Sequence, residues 1–259
     1  MNTAELFNLK GKTAIVTGGA NGIGKACCEM LSAFGANVVV SDYNLEAAQK
    51  TSKEINENGG KTIAIDCDVT KDEALVNLVD KTLQEFGSIE ILVNNVGGGG
   101  AGKESPYDIE VEQFKKVFEM NVFSMWRLCQ LVAPHMKKSG YGSIINMSSM
   151  ASINKSPAIS AYASSKAAVN HMTQNLAFDY GPDNIRVNAI GPGATRTYAL
   201  STVLTPELEK AMLKHTPINR LGEAEDIAGA VLYFAAPISS WTSGQVMFIN
   251  GGGEQTLDM

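Results

Sequence analysis

The stretch TAIVTGGANGIG, Thr13–Gly24, decides the fold of this chain. Five residues with strand character lead into a glycine-rich turn, and a helical pattern over Gly24–Phe34 follows. Glycines let the backbone turn sharply and approach a pyrophosphate closely, while the helix that follows points free N–H groups at that anion. A strand, a glycine loop and a helix in this order predict a dinucleotide site.

Short apolar runs alternate with helical patterns along the rest of the chain. The predicted strands are Thr13–Thr17, Asn37–Ser41, Thr62–Ile65, Ile89–Val93, Ser143–Met147, Ile185–Ile190 and Val246–Asn250. The other predicted helices are Leu45–Asn58, Lys71–Phe86, Glu112–Lys138, Ala161–Tyr180 and Asp226–Ala235. Most strands are apolar on both faces, which is typical of a parallel sheet covered by helices on both sides.

The alternation predicts one α/β domain over residues 1–259. We expect a doubly wound Rossmann fold with a seven-stranded parallel sheet. The stretch 194–218 interrupts the rhythm, and we predict that it forms a substrate lid. Left-handed glycines are expected just past four helix ends, at Gly35, Gly87, Gly140 and Gly181.

Composition narrows the classes of partner. The net charge of −6 argues against a groove for nucleic acid, which needs clustered Lys and Arg. None of the four cysteines lies in a C-x-x-C pair, so we expect reduced core thiols and no metal site. Met1–Lys10 has no apolar run, and no stretch approaches the roughly 18 apolar residues of a membrane span. We therefore expect a cytoplasmic protein with no membrane partner.

Asp42 ends the second predicted strand, where a carboxylate can accept hydrogen bonds from the adenosine ribose and repel a 2′-phosphate. No Lys or Arg occupies positions 19–23 or 43–44, so the sequence favours NAD over NADP. The competing role for Asp42 is to cap the helix that follows. The predicted cofactor residues at the first four strand ends are Gly18, Asn21, Gly22, Ile23, Gly24, Asp42, Asp68, Val69, Asn95 and Gly97. For Asp68 and the Asn94–Gly97 segment, turn formation is an equally good explanation.

Tyr162 and Lys166 stand four residues apart on a predicted helix and therefore share a face. A phenol has a reference pKa of about 10, and a nearby ammonium lowers it toward the range of a useful base. Ser149, at the end of the fifth strand, can hold a substrate oxygen. These three residues predict the removal of a proton from an alcohol while a nicotinamide accepts the hydride. The alternative for Tyr162 is an aromatic ring packed under a lysine stem.

The chain contains the full motif set of a known family. The motifs are Gly18-x-x-x-Gly22-x-Gly24, Asn94-Asn95-x-Gly97, Ser149, Tyr162-x-x-x-Lys166, Asn188 and Pro192-Gly193. With these motifs the sequence resembles the short-chain dehydrogenase/reductase family over nearly its whole length. The resemblance implies an NAD-dependent enzyme that interconverts a secondary alcohol and a ketone.

The same resemblance implies further site residues. Asn121 matches a catalytic asparagine whose side chain helps hold a water in a proton relay through Lys166, and the lysine also binds the cofactor ribose. Pro192, Gly193 and Thr197 match the site of the nicotinamide carboxamide. Family members pair their two long helices, here 112–138 and 161–180, across a two-fold axis. A homotetramer is therefore implied, with the last strand and Trp241 at a second interface.

Several longer strings resemble the bacterial hydroxysteroid dehydrogenase branch of the family. They are Val38–Asp42, Asn94–Gly100, Asn121–Ser124, Gln130–Pro134, Tyr162–Ala168, His215–Leu221, Ser240–Gln245 and Gly251–Gly253. This likeness implies that the enzyme oxidises the 7α-hydroxyl of bile acids or steroids, in steroid and lipid metabolism. Substrate contacts are expected from Gly99, Ser149, Asn154 and Tyr162.

A steroid needs a long apolar cleft with one wet end. Candidate apolar lining residues, together with Asn154, are Ala151, Ala158, Ile159, Ala199, Leu200, Val203 and Met212. Arg196 or Lys103 is the candidate partner for an anionic tail.

Three other functions share parts of this pattern. A 3-oxoacyl carrier-protein reductase has the same catalytic motifs but usually takes NADP and presents a basic surface. A sugar or polyol dehydrogenase predicts a polar cleft, which Ser152, Asn154 and Lys155 do not exclude. A non-catalytic NAD-binding scaffold is argued against because Ser149, Tyr162 and Lys166 are all present.

Overall fold

Seven parallel strands form the centre of the structure, a computed structural model that describes residues 3–99, 104–201, 204–214 and 216–253. The strands are β1 Thr13–Thr17, β2 Asn37–Asp42, β3 Lys61–Asp66, β4 Ile91–Asn94, β5 Gly142–Met147, β6 Ile185–Pro192 and β7 Val246–Ile249. They pair in the order β3-β2-β1-β4-β5-β6-β7, and each pairing is parallel. The predicted doubly wound sheet is confirmed.

Helices cover both faces of this sheet. They are α1 Gly22–Ala33, α2 Leu45–Glu57, α3 Asp72–Phe86, α4 Val111–Phe118, α5 Ser124–Ser139, α6 Ser160–Tyr180, α7 Tyr198–Ser201, α8 Pro206–Leu213 and α9 Ala224–Ala235. Gly100, Lys103 and Val203, which carry sequence-based predictions, lie outside the described residues, as does the side chain of Ala199.

Apolar residues alternate between two cores along each central strand. In β2, Val38 and Val40 join the core beneath α1 and α9, whereas Val39 joins the core beneath α3, α5 and α6. Both faces are thus buried, which is why the strands are continuously apolar in sequence. Cys27, Cys28, Cys67 and Cys129 are free buried thiols, as expected.

The helix predicted over 112–138 is present, but it is not a regular α-helix throughout. A π-helical turn, Glu119–Phe123, separates α4 from α5. Asn121 lies in this turn, and its side chain makes two hydrogen bonds to the main chain of Gly98. A π-turn inserts an extra residue and redirects a side chain, often at a functional site.

The predicted left-handed glycines occur past three of the four helix ends. Gly35, Gly87 and Gly140 have positive φ, but Gly181 has a φ of −53°. A short 3₁₀ turn containing Pro182 extends the chain after α6, and Asn184 takes the left-handed conformation with a φ of 60°. Among the described residues, no helix is long and apolar enough to cross a membrane.

Candidate active site

The loops that follow the strands meet at one edge of the sheet because all strands run in the same direction. Ligands bind at this carboxyl edge in open α/β folds. Here the edge brings together the glycine loop after β1, Asp42 at the end of β2, Ser149 beyond β5 and the segment that follows β6. The predicted residues therefore lie on a common rim.

The glycine loop leaves no room for side chains at two positions. A Cβ on Gly24 would lie 2.0 Å from the Gly18 carbonyl oxygen, and one on Gly18 would lie 2.9 Å from Asn95 Nδ2. Asn95 Nδ2 donates to the carbonyls of Thr17 at 3.0 Å and Gly18 at 3.2 Å. Asn95 thus fixes the loop from the neighbouring strand, and a direct contact with the cofactor stays a prediction.

The N-terminus of α1 suits an anion. Asn21 occupies the N-cap position, but its side chain makes no capping hydrogen bond to the described residues. The first turn contains no acidic residue. Free amides and the positive end of the helix dipole therefore face the close-packed glycine loop, so this cradle fits a pyrophosphate.

Asp42 links the end of β2 to the glycine loop. It is 8% exposed, and its two oxygens accept from the amides of Ala20 at 3.2 Å and Asn44 at 3.0 Å. Asn44 is the residue that caps α2, by accepting from the Ala47 amide, so the capping role considered for Asp42 is wrong. The Asp42 carboxylate can accept further hydrogen bonds, as ribose hydroxyls require.

The charges near this end of the site also suit a ribose without a phosphate. Lys25, in the first turn of α1, pairs with Glu54 at 2.5 Å and with Glu29 at 3.7 Å. Its charge is therefore already balanced by protein carboxylates. The exposed ring of Tyr43 follows Asp42 directly and was not among the predicted residues.

Asp68 and Val69 lie beyond β3. The Asp68 carboxylate accepts from the amide and the hydroxyl of Thr70, and these hydrogen bonds hold its pKa below the ordinary value. Turn chemistry is therefore present at Asp68, and Val69 is buried. Contacts between these residues and the cofactor stay predictions.

Ser149, Tyr162 and Lys166 come together in space. The Ser149 hydroxyl lies near enough to the Tyr162 phenol to lower the pKa of that phenol. Lys166 Nζ lies 5.8 Å from the centroid of the Tyr162 ring and donates to the Met147 carbonyl at 2.7 Å. Because Met147 ends β5, the lysine head is fixed to the sheet itself.

Burial dominates the electrostatics of this cluster. Burial is the largest influence on Tyr162 and raises its pKa. The interaction with Ser149 lowers this pKa, and the negative charge of Glu104 raises it. Burial also lowers the pKa of Lys166 to about 8. In the protein without cofactor, the pKa of the Tyr162 phenol is therefore above its usual value, and the expectation that Lys166 lowers it is wrong. A motif shows the nearby ammonium charge but not the desolvation of the phenol.

Asn121 is tied to the segment after β4. Its Nδ2 donates to the Gly98 carbonyl and to Ser165 Oγ, both at 2.9 Å, and its Oδ1 accepts from the Gly98 amide at 2.9 Å. Both amide protons are used, so only acceptor capacity remains on this side chain for a water. A Cβ on Gly97 would lie 2.8 Å from Lys166 Nζ, which explains why glycine is needed beside the lysine head.

The segment after β6 returns to the glycine loop. The Gly193 amide donates to the Ile249 carbonyl at 2.8 Å and continues the pairing of β6 with β7, beyond Pro192. The side chain of Thr197 lies 3.7 Å from the position of a Cβ on Gly22. This places the predicted carboxamide site beside the predicted pyrophosphate site. Asn188 binds the Thr242 carbonyl and the Gln245 amide, and so anchors the loop before β7.

Gly99 and Asn154 have the features of substrate contacts. Gly99 has a φ of +109°, and a Cβ there would lie 3.3 Å from Tyr162 Cβ. Asn154 Nδ2 is buried and has no hydrogen-bond partner among the described residues. A buried amide donor is costly unless something accepts from it.

Arg196 does not have the setting expected of a partner for an anionic substrate. It pairs with Glu209 at 3.0 Å and with Glu223 at 3.4 Å. Two carboxylates already balance its charge, which argues against a role for Arg196 in binding an anionic substrate. Sequence reasoning also missed Glu104, a carboxylate that is 3% exposed beside Tyr162 and belongs to no recognisable motif.

The sheet order, the glycine loop and the Ser149–Tyr162–Lys166 cluster together define a class of dinucleotide-dependent oxidoreductase. A family profile described as "Enoyl-(Acyl carrier protein) reductase" matches residues 18–254. The chain belongs to the short-chain dehydrogenase/reductase family.

Within this family the chain has relatives with specific activities. It is 47% identical over 258 residues to the 7α-hydroxysteroid dehydrogenase of Escherichia coli (strain K12), with 100% of both chains covered. It is 36% identical to the 7α-hydroxysteroid dehydrogenase of Clostridium sardiniense, with 94% of each covered. A solved structure described as 7α-hydroxysteroid dehydrogenase complexed with NADH and 7-oxo glycochenodeoxycholic acid matches with a TM-score of 0.96 and 47% identity, covering 100% of both chains.

Proposed function

We propose that this protein is an NAD-dependent 7α-hydroxysteroid dehydrogenase, which interconverts the 7α-hydroxyl of a bile acid or steroid and the 7-ketone. The observation that carries the proposal is the full-length match, at 47% identity, to an enzyme of that name whose structure is described with NADH and a 7-oxo bile acid. The cluster of Ser149, Tyr162 and the buried Lys166 supplies the groups that such a reaction needs.

The chain offers a matching set of contacts for NAD. The loop of Gly18, Gly22 and Gly24, with the amides of Asn21 and Ile23, would hold the pyrophosphate. Asp42 would bind the adenosine ribose, and Asp68, Val69, Asn95 and Gly97 would border the adenosine and its neighbouring ribose. The nicotinamide carboxamide would lie against Pro192, Gly193 and Thr197. Bound NAD+ supplies the acceptor for the hydride.

Tyr162 is the proposed acid and base. In oxidation, its phenolate oxygen takes the proton of the substrate hydroxyl as the hydride leaves the same carbon; in reduction, the phenol returns that proton. Ser149 donates to the substrate oxygen and steadies the charge that develops there. Lys166 carries a positive charge behind the phenol, and Asn121 holds the Gly97–Gly98 segment against the lysine head.

The substrate is proposed to lie between the Ser149 turn and the lid, residues 194–218. Gly99 and Asn154 border the reacting end, where the Asn154 amide can donate to a polar group of the ligand. Proposed apolar contacts from the described chain are Ala151, Ala158, Ile159, Leu200 and Met212. A rigid apolar ring system suits such a lining better than a sugar does.

We also propose a homotetramer in the cytoplasm. Large apolar side chains stand exposed on the π-turn, on two of the helices and on the loop before β7. They are Phe123 in the π-turn, Trp126 at the start of α5, Phe178 near the end of α6, and Trp241, which is 99% exposed. Patches of this kind mark interaction surfaces, and closed two-fold symmetry is the usual arrangement in homo-oligomers.

A substrate panel tests the proposed activity. The purified protein is incubated with NAD+ or NADP+ and with bile acids that carry a single 3α-, 7α-, 7β- or 12α-hydroxyl. A 3-hydroxyacyl thioester and glucose complete the panel, and Tyr162→Phe is the matched control. We expect NADH to form with the 7α-hydroxyl. Turnover confined to the thioester or to glucose would overturn the substrate assignment and leave the family membership intact.

A further inference from the structure

Glu104 is a buried carboxylate next to the proposed base. It is 3% exposed, and glutamate is almost never fully buried unless its carboxylate is paired. Its backbone forms a parallel bridge to Ile159: the Glu104 amide donates to the Ala158 carbonyl at 2.9 Å, and Ser160 Oγ donates to the Glu104 carbonyl at 3.3 Å. The segment beyond the glycine run is thereby fastened to the start of α6.

The Glu104 side chain binds the first turn of α6. Its Oε2 accepts from the Tyr162 amide at 2.9 Å. This amide is one of the first four of the helix, which have no partner within the helix. The N-cap residue, Ile159, supplies no side-chain cap among the described residues. Glu104 therefore acts as a cap from a distant part of the chain, with its negative charge at the positive end of the helix dipole.

The carboxylate also lies close to the substrate side of the cluster. Its Oε1 would be 2.8 Å from a Cβ on Gly99, and that same Cβ would be 3.3 Å from Tyr162 Cβ. Glu104 is therefore packed between the glycine run and the tyrosine. Any displacement of the carboxylate must move one of these two neighbours, because protein interiors are closely packed.

Among the described residues, the charged and hydrogen-bonding groups around Tyr162 come from four elements. The segment after β4 contributes Glu104, the turn after β5 contributes the neutral Ser149, α6 contributes Lys166, and the π-turn contributes the neutral Asn121. The Glu104 charge raises the pKa of Tyr162 and so acts in the same direction as burial. Lys166 carries the one positive charge in this set.

We propose that Glu104 is a positioning residue for the proposed dehydrogenase: its carboxylate fixes the first turn of α6, and its charge opposes formation of the Tyr162 phenolate. The charge thereby keeps the phenol protonated, which favours ketone reduction and requires a higher pH for alcohol oxidation. This inference rests on the proposed function in one respect, that Tyr162 is the acid and base. It does not depend on which alcohol is the substrate.

Two substitutions separate the two parts of this role. Glu104→Gln keeps an oxygen that can accept from the Tyr162 amide and removes the charge, whereas Glu104→Leu removes both. Glu110→Gln is the matched control, because Glu110 is an exposed carboxylate of the same loop. Each variant is compared with wild type for thermal unfolding, for kcat/KM of oxidation against pH, and for NAD affinity. The alcohol is whichever one wild type oxidises in the panel.

We expect Glu104→Gln to move the acidic limb of the oxidation profile to lower pH by about half a unit to one unit, with its plateau nearly unchanged. Glu110→Gln should superimpose on wild type. Glu104→Leu should lower kcat by about tenfold or more with NAD affinity retained, since a displaced base loses rate more than binding. A Glu104→Gln profile identical to wild type would overturn the electrostatic part, and a Glu104→Leu variant with wild-type kcat would overturn the positioning part.

A spectroscopic titration keeps this test independent of activity. The near-ultraviolet tyrosinate signal of Tyr162 is obtained on the protein alone as the difference from Tyr162→Phe. Glu104→Gln should ionise Tyr162 at a lower pH than wild type does. An unchanged midpoint would overturn the proposed charge effect even if no substrate were turned over, whereas inactivity with a shifted midpoint would count against the proposed function only.

Discussion

The proposed catalytic cluster, Ser149, Tyr162 and Lys166, and the predicted lid, residues 194–218, lie at the same edge of the sheet, but they are held in place in different ways. Lys166 is 3% exposed and bound to the end of β5, and Ser152 Oγ donates to the Ser149 carbonyl at 2.6 Å while itself accepting from Asn170. By contrast, α8 has no buried residue. Arg196 joins Glu209 of α8 to Glu223, at the N-terminus of α9, through two partly exposed ion pairs.

This difference in anchoring suggests different roles: the cluster for the reaction and the 194–218 segment for the choice of substrate. Hydrogen bonds to the main chain hold Lys166 and the Ser149 turn in place, so the proposed chemistry depends directly on the fold. In the predicted lid, α8 is held by partly exposed contacts that contribute little stability, so its sequence can change with small cost to folding. Changes in the cluster should abolish turnover without unfolding the protein, whereas changes in the lid should alter substrate affinity and little else.

Tyr162→Phe should have the largest effect, because it removes the one hydroxyl proposed to exchange a proton with the substrate. We expect kcat/KM to fall by about a thousandfold or more while NAD affinity and the unfolding temperature stay near wild type. Steady-state kinetics and NAD titration measure both. Residual activity within tenfold of wild type would place the base elsewhere.

Asp42→Ala should have the next largest effect, since it removes the acceptor proposed for the ribose hydroxyls and the charge that repels a 2′-phosphate. We expect KM for NAD+ to rise by about tenfold and the preference for NAD+ over NADP+ to shrink. Glu46→Ala, which removes an exposed carboxylate at the start of α2, is the control. An unchanged cofactor ratio in Asp42→Ala would contradict the role given to this residue.

Lys166→Met should reveal the buried charge through the pH dependence of stability. The folded-state pKa of Lys166, about 8, lies below the ordinary value of 10.5, so the native state binds fewer protons than the unfolded state between these two pH values. The stability of wild type relative to Lys166→Met should therefore rise with pH across this window, with a slope of up to about 1.4 kcal/mol per pH unit. Urea unfolding at several pH values measures the slope.

The exposed lysine in Lys115→Met provides the control for that slope. Its stability difference from wild type should not vary with pH in the same window. A flat result for Lys166→Met as well would mean that Lys166 keeps its ordinary pKa in the folded protein.

Arg196→Gln should have the smallest effect. It breaks two partly exposed ion pairs, so the free energy of unfolding should fall by less than about 1 kcal/mol. KM for the bile acid should change by a few-fold with KM for NAD+ unchanged, because the lid loses its link to α9. Equal changes in both KM values would show that this ion-pair cluster supports the cofactor site as well.

Features that depend on local sequence pattern could be predicted, whereas features that depend on contacts between distant parts of the chain could not. Strands and helices followed from apolar periodicity, and the spacing of Tyr162 and Lys166 placed both on one face of α6. The π-turn at Asn121 could not be predicted, because it depends on hydrogen bonds to Gly98, distant in sequence. Glu104 gave no signal either, since a carboxylate in a polar stretch is ordinarily exposed and only tertiary packing buries it.

The direction of the Tyr162 pKa shift could not be predicted from the sequence either. Lys166 lies near Tyr162, as the spacing implied. The pKa of the phenol is nevertheless raised, because burial is the largest influence on it and outweighs the interaction with Ser149. Desolvation depends on everything packed around a group, so adjacency in a motif does not determine it.

The oxidation of a matched pair of bile acids tests the central claim most directly. Wild-type protein and NAD+ are supplied with two epimers that differ only at the 7-hydroxyl, and both NADH and the steroid product are quantified. The account predicts equal amounts of NADH and 7-ketone from the 7α epimer and neither from the 7β epimer. Absence of 7-ketone from the 7α epimer, in a preparation that oxidises another alcohol with NAD+, would contradict it.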